Sequence, residues 1–201
     1  MYNLTIKQSN KEHNMNKSIV IASRKGGVGK TPLALSLAMD LDYFLITNDM
    51  GIATTIYAEK SKYMEKPAAI KNAVYDFGGF VSAGVIEVVQ DSDIVIIPLI
   101  NEDDSFVKTF LTISELENHA KEIILVATRT EKGDFEEIEK IIKKKLPNIK
   151  IFELSKSKIF KHVTRNGLSV LQKANSNPLS QYSYRKITKQ YTELLDYIKG
   201  V

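Results

Sequence analysis

Short runs of apolar, mostly β-branched residues alternate along this chain with longer stretches in which apolar residues recur every three or four positions. A run of the first kind predicts a short buried strand, and a stretch of the second kind predicts a helix. Alternation at this spacing is typical of an α/β fold, a mostly parallel twisted sheet covered by helices on both faces. The predicted strands are 19–22, 43–46, 73–76, 93–99, 123–127 and 149–154, the predicted helices are 33–41, 81–90, 101–116, 134–146 and 178–199, and 54–66 is predicted as a short helix or irregular segment.

A glycine-rich turn lies between the first predicted strand and the first predicted helix. Glycines take backbone angles closed to other residues and lack a Cβ, so consecutive N–H groups can surround phosphate oxygens at a helix N-terminus. We expect Lys30 to reach the β- and γ-phosphates of a nucleotide and the Thr31 hydroxyl to hold Mg²⁺. The alternative is a surface turn that carries two lysines. The segment reads Lys25, Gly26, Gly27, Val28, Gly29, Lys30, Thr31, Pro32, and the proline suits the first turn of a helix.

The turn resembles the deviant Walker A loop of the ParA/MinD family of ATPases. Lys25 directly precedes the glycine pair, and Arg24 stands where the ordinary P-loop has its first glycine. The resemblance implies a P-loop NTPase with ATP and Mg²⁺ as cofactors and with residues 26–32 around the nucleotide. It also implies a homodimer in which Lys25 crosses the interface and contacts the phosphates bound in the other subunit.

Two acidic residues follow predicted strands at the end of the sheet where the turn lies. By resemblance Asp49 orients the attacking water or a water on Mg²⁺, and Asp76 is the Walker B group that holds Mg²⁺ through water. Asp49 as a plain turn residue is the alternative. Three departures from the family leave the hydrolysis rate and base recognition open: Thr47 replaces an acid, Gly78-Gly79 replaces two prolines, and Thr128 replaces an asparagine that reads adenine in many relatives.

Charge is distributed unevenly along the 201 residues, whose net charge is +4. Residues 1–150 carry 19 Lys/Arg against 21 Asp/Glu, net −2, whereas residues 151–201 carry 9 against 3, net +6. A basic surface of this kind suits a polyanion, although a solvated face without a partner is the alternative. The candidate contacts to nonspecific DNA are Lys156, Lys158, Lys161, Arg165, Arg185, Lys186 and Lys189.

Composition narrows the class of protein further. The absence of cysteine excludes disulfides, thiolate nucleophiles and the cysteine-held clusters of the iron–sulfur relatives that share this loop. Without a secretory signal or an apolar stretch of roughly 18 residues, we expect a cytoplasmic protein and no membrane partner. The resemblance implies that the protein is also nucleoid-associated. We expect residues 1–16 to form a flexible extension and residues 17–201 a single P-loop ATPase domain.

The resemblance leads to one functional hypothesis and two alternatives. The hypothesis is a ParA-like partition ATPase that dimerises on ATP–Mg, binds DNA nonspecifically and releases it when a ParB-like, site-specific DNA-binding partner stimulates hydrolysis. A MinD-like positioning ATPase on a membrane surface is the first alternative, which Met50-Gly51 favours. A nucleotide-binding switch with little hydrolysis is the second, which Thr47 and the glycine pair favour.

Overall fold

The computed structural model describes residues 16–49, 51–78 and 84–200. Four predictions lie wholly or partly outside the described residues: the N-terminal extension up to residue 15, Met50, Gly79, and the start of the helix predicted at residues 81–90. The assignment of a single domain to 17–201 stays a prediction.

Seven strands within the described residues form one sheet, in which every pairing is parallel. The strands are β1 (Ser18–Ala22), β2 (Phe44–Thr47), β3 (Ser61–Tyr63), β4 (Ala73–Phe77), β5 (Ile94–Leu99), β6 (Ile123–Thr130) and β7 (Lys150–Ser155). Their order in the sheet is β3-β2-β4-β1-β5-β6-β7. Strand β1 is therefore central. Because the strands are parallel, the residues that follow β1, β4 and β2 lie together at the carboxyl end of the sheet.

Eight helices within the described residues lie between the strands or follow the last one and cover both faces of the sheet, which confirms the predicted α/β fold. The helices are α1 (Lys30–Leu41), α2 (Ile52–Ile56), α3 (Val85–Asp91), α4 (Asp103–Leu116), α5 (Asp134–Lys145), α6 (Ile159–Asn166), α7 (Val170–Ala174) and α8 (Pro178–Gly200). Helices α1, α6, α7 and α8 pack on one face, and α3, α4 and α5 pack on the other.

The pleat of the central strand divides the core into two apolar clusters. Ile19 and Ile21 of β1 point towards α1 and α8, whereas Val20 and Ala22 point towards the opposite helices. All four side chains are buried, which explains why this strand is a continuous apolar run and not an alternating one. The apolar stripe predicted on the last helix is also buried, and its members are Ile187, Tyr191, Leu194, Leu195 and Ile198.

The structure corrects two local predictions. Residues 54–66 contain the end of α2 and also β3, an edge strand whose Lys62 and Tyr63 are exposed. A strand of three residues with exposed side chains has too few apolar positions to give a pattern. The sequence also predicts Asp134 as the N-cap of the helix at 134–146, because aspartate favours that position. Gly133 takes the position instead, and the Asp134 carboxylate accepts a hydrogen bond of 2.8 Å from the Glu131 backbone N–H.

Candidate functional site

The glycine-rich turn forms a loop at the carboxyl end of β1 and leads directly into α1. Gly27 and Gly29 have φ angles of 76° and 85°, in the left-handed region that side chains disfavour. Gly29 is the N-cap of α1, and the first turn of the helix contains Lys30, Thr31 and Pro32. In the part of the chain that the structure describes, no side chain caps this helix N-terminus. Its N–H groups therefore remain available to an anion.

The Lys30 side chain contacts the backbone of the loop. The Lys30 ammonium donates to the backbone oxygens of Ser23 and Lys25, each at 3.2 Å. Burial lowers the pKa of Lys30, and the charges of Asp76 and Asp49 offset part of that effect. An ammonium held at the loop in this way is positioned to meet a phosphate entering from solvent.

Asp76 is a buried carboxylate, only 4% exposed. Burial raises the pKa of Asp76, Asp49 raises it further, and hydrogen bonding from Thr31 and the charge of Lys30 act in the opposite direction. Its Oδ1 has no hydrogen-bond partner among the described residues. Because buried polar atoms are normally satisfied, this oxygen fits a water molecule on Mg²⁺, an ion that prefers oxygen ligands and keeps several waters.

The loops after β2 and β4 are in direct contact. Register places Thr47 beside Asp76, and the Thr47 hydroxyl lies 3.1 Å from the backbone nitrogen of Asp49, closing a tight turn. The Gly78 N–H donates to Asn48 Oδ1 at 2.9 Å. A Cβ added at Gly78 would lie 3.1 Å from the Asp49 Cβ and 3.2 Å from its Oδ2. Glycine at position 78 therefore permits the close approach that sets the exposed Asp49 beside the site.

Lys25 is held by its own chain in this single copy. Its Nζ lies 3.0 Å from Glu102 Oε2 and 2.9 Å from Asp104 Oδ2, both at the start of α4. These hydrogen bonds raise the pKa of Lys25. The neighbouring Arg24 pairs through two nitrogens with Glu115 at the other end of α4. The resemblance implies that Lys25 contacts phosphates bound in a second subunit. In this structure it instead forms ion pairs within its own chain.

The comparisons with known proteins bear on the fold. Neither a protein-family model nor a curated protein sequence matches the chain. Solved structures do match at a probability of 1.00.

The ATP complex of McdA from Cyanothece has a TM-score of 0.66 and 15% identity, over 93% of this chain and 97% of that one. A putative plasmid partition protein of Borrelia burgdorferi B31 bound to AMPPNP has a TM-score of 0.64 and 17% identity, over 92% and 99%. The septum site-determining protein MinD of Pyrococcus horikoshii, complexed with Mg-ADP, has a TM-score of 0.62 and 11% identity, over 90% and 98%.

The chain has the ParA/MinD-type P-loop ATPase fold. This outcome confirms the resemblance inferred from the loop sequence. At these identities the likeness concerns the fold, and the roles of individual residues stay predictions.

Within this ParA/MinD-type fold, Thr128 is tied to the P-loop. The residue is buried, and its Oγ1 lies 2.8 Å from the backbone oxygen of Val28 and 3.2 Å from that of Leu99. The sequence suggested only that the usual adenine-reading asparagine is missing here. The structure adds that the hydroxyl at this position contacts the loop itself.

A cleft of about 350 Å³ opens beside the P-loop, and sequence reasoning did not find it. It is bordered by Gly29 and the first turn of α1 on one side and by α6 on the other. Its apolar walls come from Pro32, Leu33, Leu154 and Phe160. Pro32 belongs to the predicted nucleotide loop, but no local pattern of the sequence shows that Leu33, Leu154 and Phe160 converge beside it.

The predicted DNA contacts are exposed and lie on α6, on the first half of α8 and in the segment between β7 and α6. The ring centroids of His162 on α6 and Tyr184 on α8 lie 6.4 Å apart in an edge-to-face arrangement, so α6 approaches the first half of α8 at this point. Lys186 and Lys189 remain 71% and 81% exposed although each lies 4.0 Å from a glutamate. Lys156 and Lys161 differ from the others because they also line the cleft beside the P-loop; Lys158, Arg165 and Arg185 lie on the open surface.

No helix among the described residues is long and apolar enough to cross a membrane.

Proposed function

We propose that this protein is a ParA-like partition ATPase. It binds ATP and Mg²⁺ at the P-loop, dimerises, binds DNA nonspecifically as the dimer, and releases DNA when a ParB-like partner stimulates hydrolysis. The observation that carries the proposal is the convergence of Lys30, Thr31 and the buried Asp76 at a helix N-terminus that no side chain caps among the described residues. Structural neighbours solved with ATP, AMPPNP and Mg-ADP support it.

Each residue of the site has a role in this proposal. Residues 26–32 surround the phosphates, and Lys30 neutralises the β- and γ-phosphate oxygens. Thr31 and, through water, Asp76 hold Mg²⁺, which when bound neutralises charge that develops on the phosphates. Asp49 orients a water for attack on the γ-phosphate, a role that its exposed position beside Gly78 allows.

Lys25 couples nucleotide to self-association. In the proposed dimer its ammonium leaves Glu102 and Asp104 and binds phosphates held by the partner copy. Interactions of both subunits with the γ-phosphate favour the dimer, and hydrolysis removes those interactions. The dimer joins two basic surfaces, each built from α6 and the first half of α8, into one surface for DNA.

Two other functions remain as alternatives. A switch with little hydrolysis is favoured by the Thr47 hydroxyl, which closes a local turn at the position where the family carries an acid. A MinD-like membrane positioner requires an apolar helix face free to enter a lipid surface. The apolar stripe of α8 is buried against the sheet, so the structure gives this alternative less support.

Retention on nonspecific DNA tests the proposal. Protein is passed over immobilised duplex with ATP–Mg, with ADP–Mg and without nucleotide, and bound protein is measured. We expect strong retention with ATP–Mg and weak retention with ADP–Mg or without nucleotide. Equal retention in ATP and ADP contradicts the proposal, and ATP-dependent pelleting with anionic liposomes in place of DNA supports the membrane alternative. Tight ATP binding with DNA retention but negligible phosphate release supports the switch.

A further inference from the structure

The cleft beside the P-loop has a size and position suited to a nucleobase and its ribose. Its volume of about 350 Å³ lies in the lower part of the range of small-molecule pockets. Gly29, at the end of the phosphate loop, is part of its lining. A nucleotide with its phosphates on the loop can therefore extend its base towards this cleft.

The hydroxyl groups that line the cleft are mostly committed within the protein. Thr128 Oγ1 lies at hydrogen-bond distance from two backbone oxygens, and Ser155 Oγ donates to Gln190 Oε1 at 2.8 Å. Thr164 Oγ1 faces the Phe160 oxygen at 3.5 Å. Ser157 Oγ accepts from the Ile159 N–H at 3.2 Å, so its own proton stays available. Each of these oxygens keeps a lone pair that can accept a hydrogen bond from an amino group of a base, and Ser157 also keeps a proton to donate.

Carboxamide and carboxylate side chains are absent from the described lining of the cleft. These are the side chains that distinguish adenine from guanine, because adenine offers an amino donor where guanine offers an oxygen acceptor. The charged residues that do line it are all cations, Arg129, Lys156 and Lys161. Cations are donors only, so they tolerate the O6 and N7 acceptors of guanine at least as well as the edge of adenine.

The apolar walls of the cleft favour planar rings, whatever hydrogen-bonding groups those rings carry. Phe160 contributes an aromatic ring, and Leu33, Leu154 and Pro32 contribute apolar surface. Every base has a π face, so stacking on an aromatic side chain is tolerant of base identity. A purine offers more surface to such walls than a pyrimidine does.

We propose that this site binds purine nucleotides with little discrimination between adenine and guanine, and that Phe160 determines its preference for purines. This inference rests on the proposed function, since it requires phosphates on the P-loop. It assigns Thr128 to positioning the loop through the Val28 oxygen, and assigns base selection to ring stacking.

Calorimetric titration of the full-length protein with diphosphates tests the inference, because these ligands are not hydrolysed. ADP, GDP and CDP are titrated in Mg²⁺, with inorganic pyrophosphate as the probe that lacks a base. We expect dissociation constants for ADP and GDP within about threefold of each other and a constant for CDP about fivefold larger, as stacking differences of this kind predict. An ADP preference over GDP of tenfold or more overturns the inference and leaves the proposed function standing.

Phe160→Ala separates stacking from phosphate binding. We expect the variant to weaken ADP and GDP about tenfold and to leave pyrophosphate binding unchanged. Phe152→Ala is the matched control, since Phe152 is a partly buried aromatic that packs against Tyr197 away from the cleft. Equal losses for ADP and pyrophosphate in Phe160→Ala overturn the role of Phe160. If neither pyrophosphate nor any diphosphate binds the parent, the proposed function itself is wrong.

Discussion

Replacing Asp76 with asparagine is expected to stabilise the nucleotide-free protein while removing its response to Mg²⁺. Asp76 is 4% exposed, one of its oxygens has no partner among the described residues, and burial raises its pKa despite the positive charge of Lys30. A raised carboxyl pKa means that the folded state binds more protons than the unfolded state, so stability falls as pH rises through the titration. At neutral pH the charged form of Asp76 therefore opposes folding.

The size of the effect follows from the buried charge. A charged carboxylate costs more to bury than a neutral amide of the same shape, and the charge of Lys30 offsets part of that cost, so a gain of about 1 kcal/mol is expected on replacement by asparagine. In a chain of this length that corresponds to a rise in Tm of about 2–4 °C. For the parent, Mg²⁺ and nucleotide at a hundredfold excess over Kd should add about 2.7 kcal/mol, and the Mg²⁺-dependent part of this should be lost in Asp76→Asn.

Thermal unfolding followed by circular dichroism measures both effects, with and without Mg-ADP. Asp93→Asn is the matched control. Burial acts to raise the pKa of Asp93, but hydrogen bonds from Lys71 and the Ser18 N–H and the charge of Lys121 lower it overall. The charged form of Asp93 thus supports folding, and its replacement should lower Tm. A lower Tm for nucleotide-free Asp76→Asn, or an undiminished rise with Mg-ADP, would refute the reasoning.

Three further variants test separate contacts. Gly78→Pro removes the N–H that donates to Asn48 and crowds the Asp49 side chain. The lost hydrogen bond is worth about 1 kcal/mol or more, so the rate of phosphate release should fall about tenfold. An unchanged rate would show that the hydrogen bond is dispensable. Glu102→Gln weakens the ion pair that holds Lys25 within its own chain, so ATP-dependent dimerisation should become about two- to fivefold stronger. Asp103→Asn, on the same turn, should leave dimerisation unchanged. Sedimentation velocity compares the two variants. Arg185→Ala should reduce the slope of log K for DNA against log salt by about 0.9 for each phosphate that the variant no longer neutralises; an unchanged slope would exclude this residue from the DNA surface.

The sequence predicts the fold well because its strong signals are local. The apolar runs of β1, β5 and β6 and the glycine loop of residues 26–29 each lie within a few residues of chain. Strand order follows less directly, and the edge strand β3 has no apolar pattern to reveal it. Tertiary packing, not local preference, makes those three residues a strand.

The site was predictable only where a motif names the residue. Lys30, Thr31 and Asp76 follow from the loop and from a strand-end acid, and the structure brings them together. The hydrogen bond between Lys25 and α4 joins residues about 80 positions apart, and no local signal encodes it. Thr128 is similar: a resemblance marks it as a missing asparagine, but only the folded chain shows that its hydroxyl reaches Val28. Long-range side-chain interactions of this kind require coordinates.

Self-association measured by light scattering in ATP–Mg, for the parent and for Lys25→Ala, tests the central claim most directly. We expect the parent to become a dimer in ATP–Mg and to remain a monomer in ADP–Mg. We expect Lys25→Ala to stay monomeric in both, while Lys62→Ala, which removes an exposed lysine on β3, dimerises like the parent. A Lys25→Ala protein that dimerises and releases phosphate as the parent does would contradict the claim that Lys25 joins the two subunits.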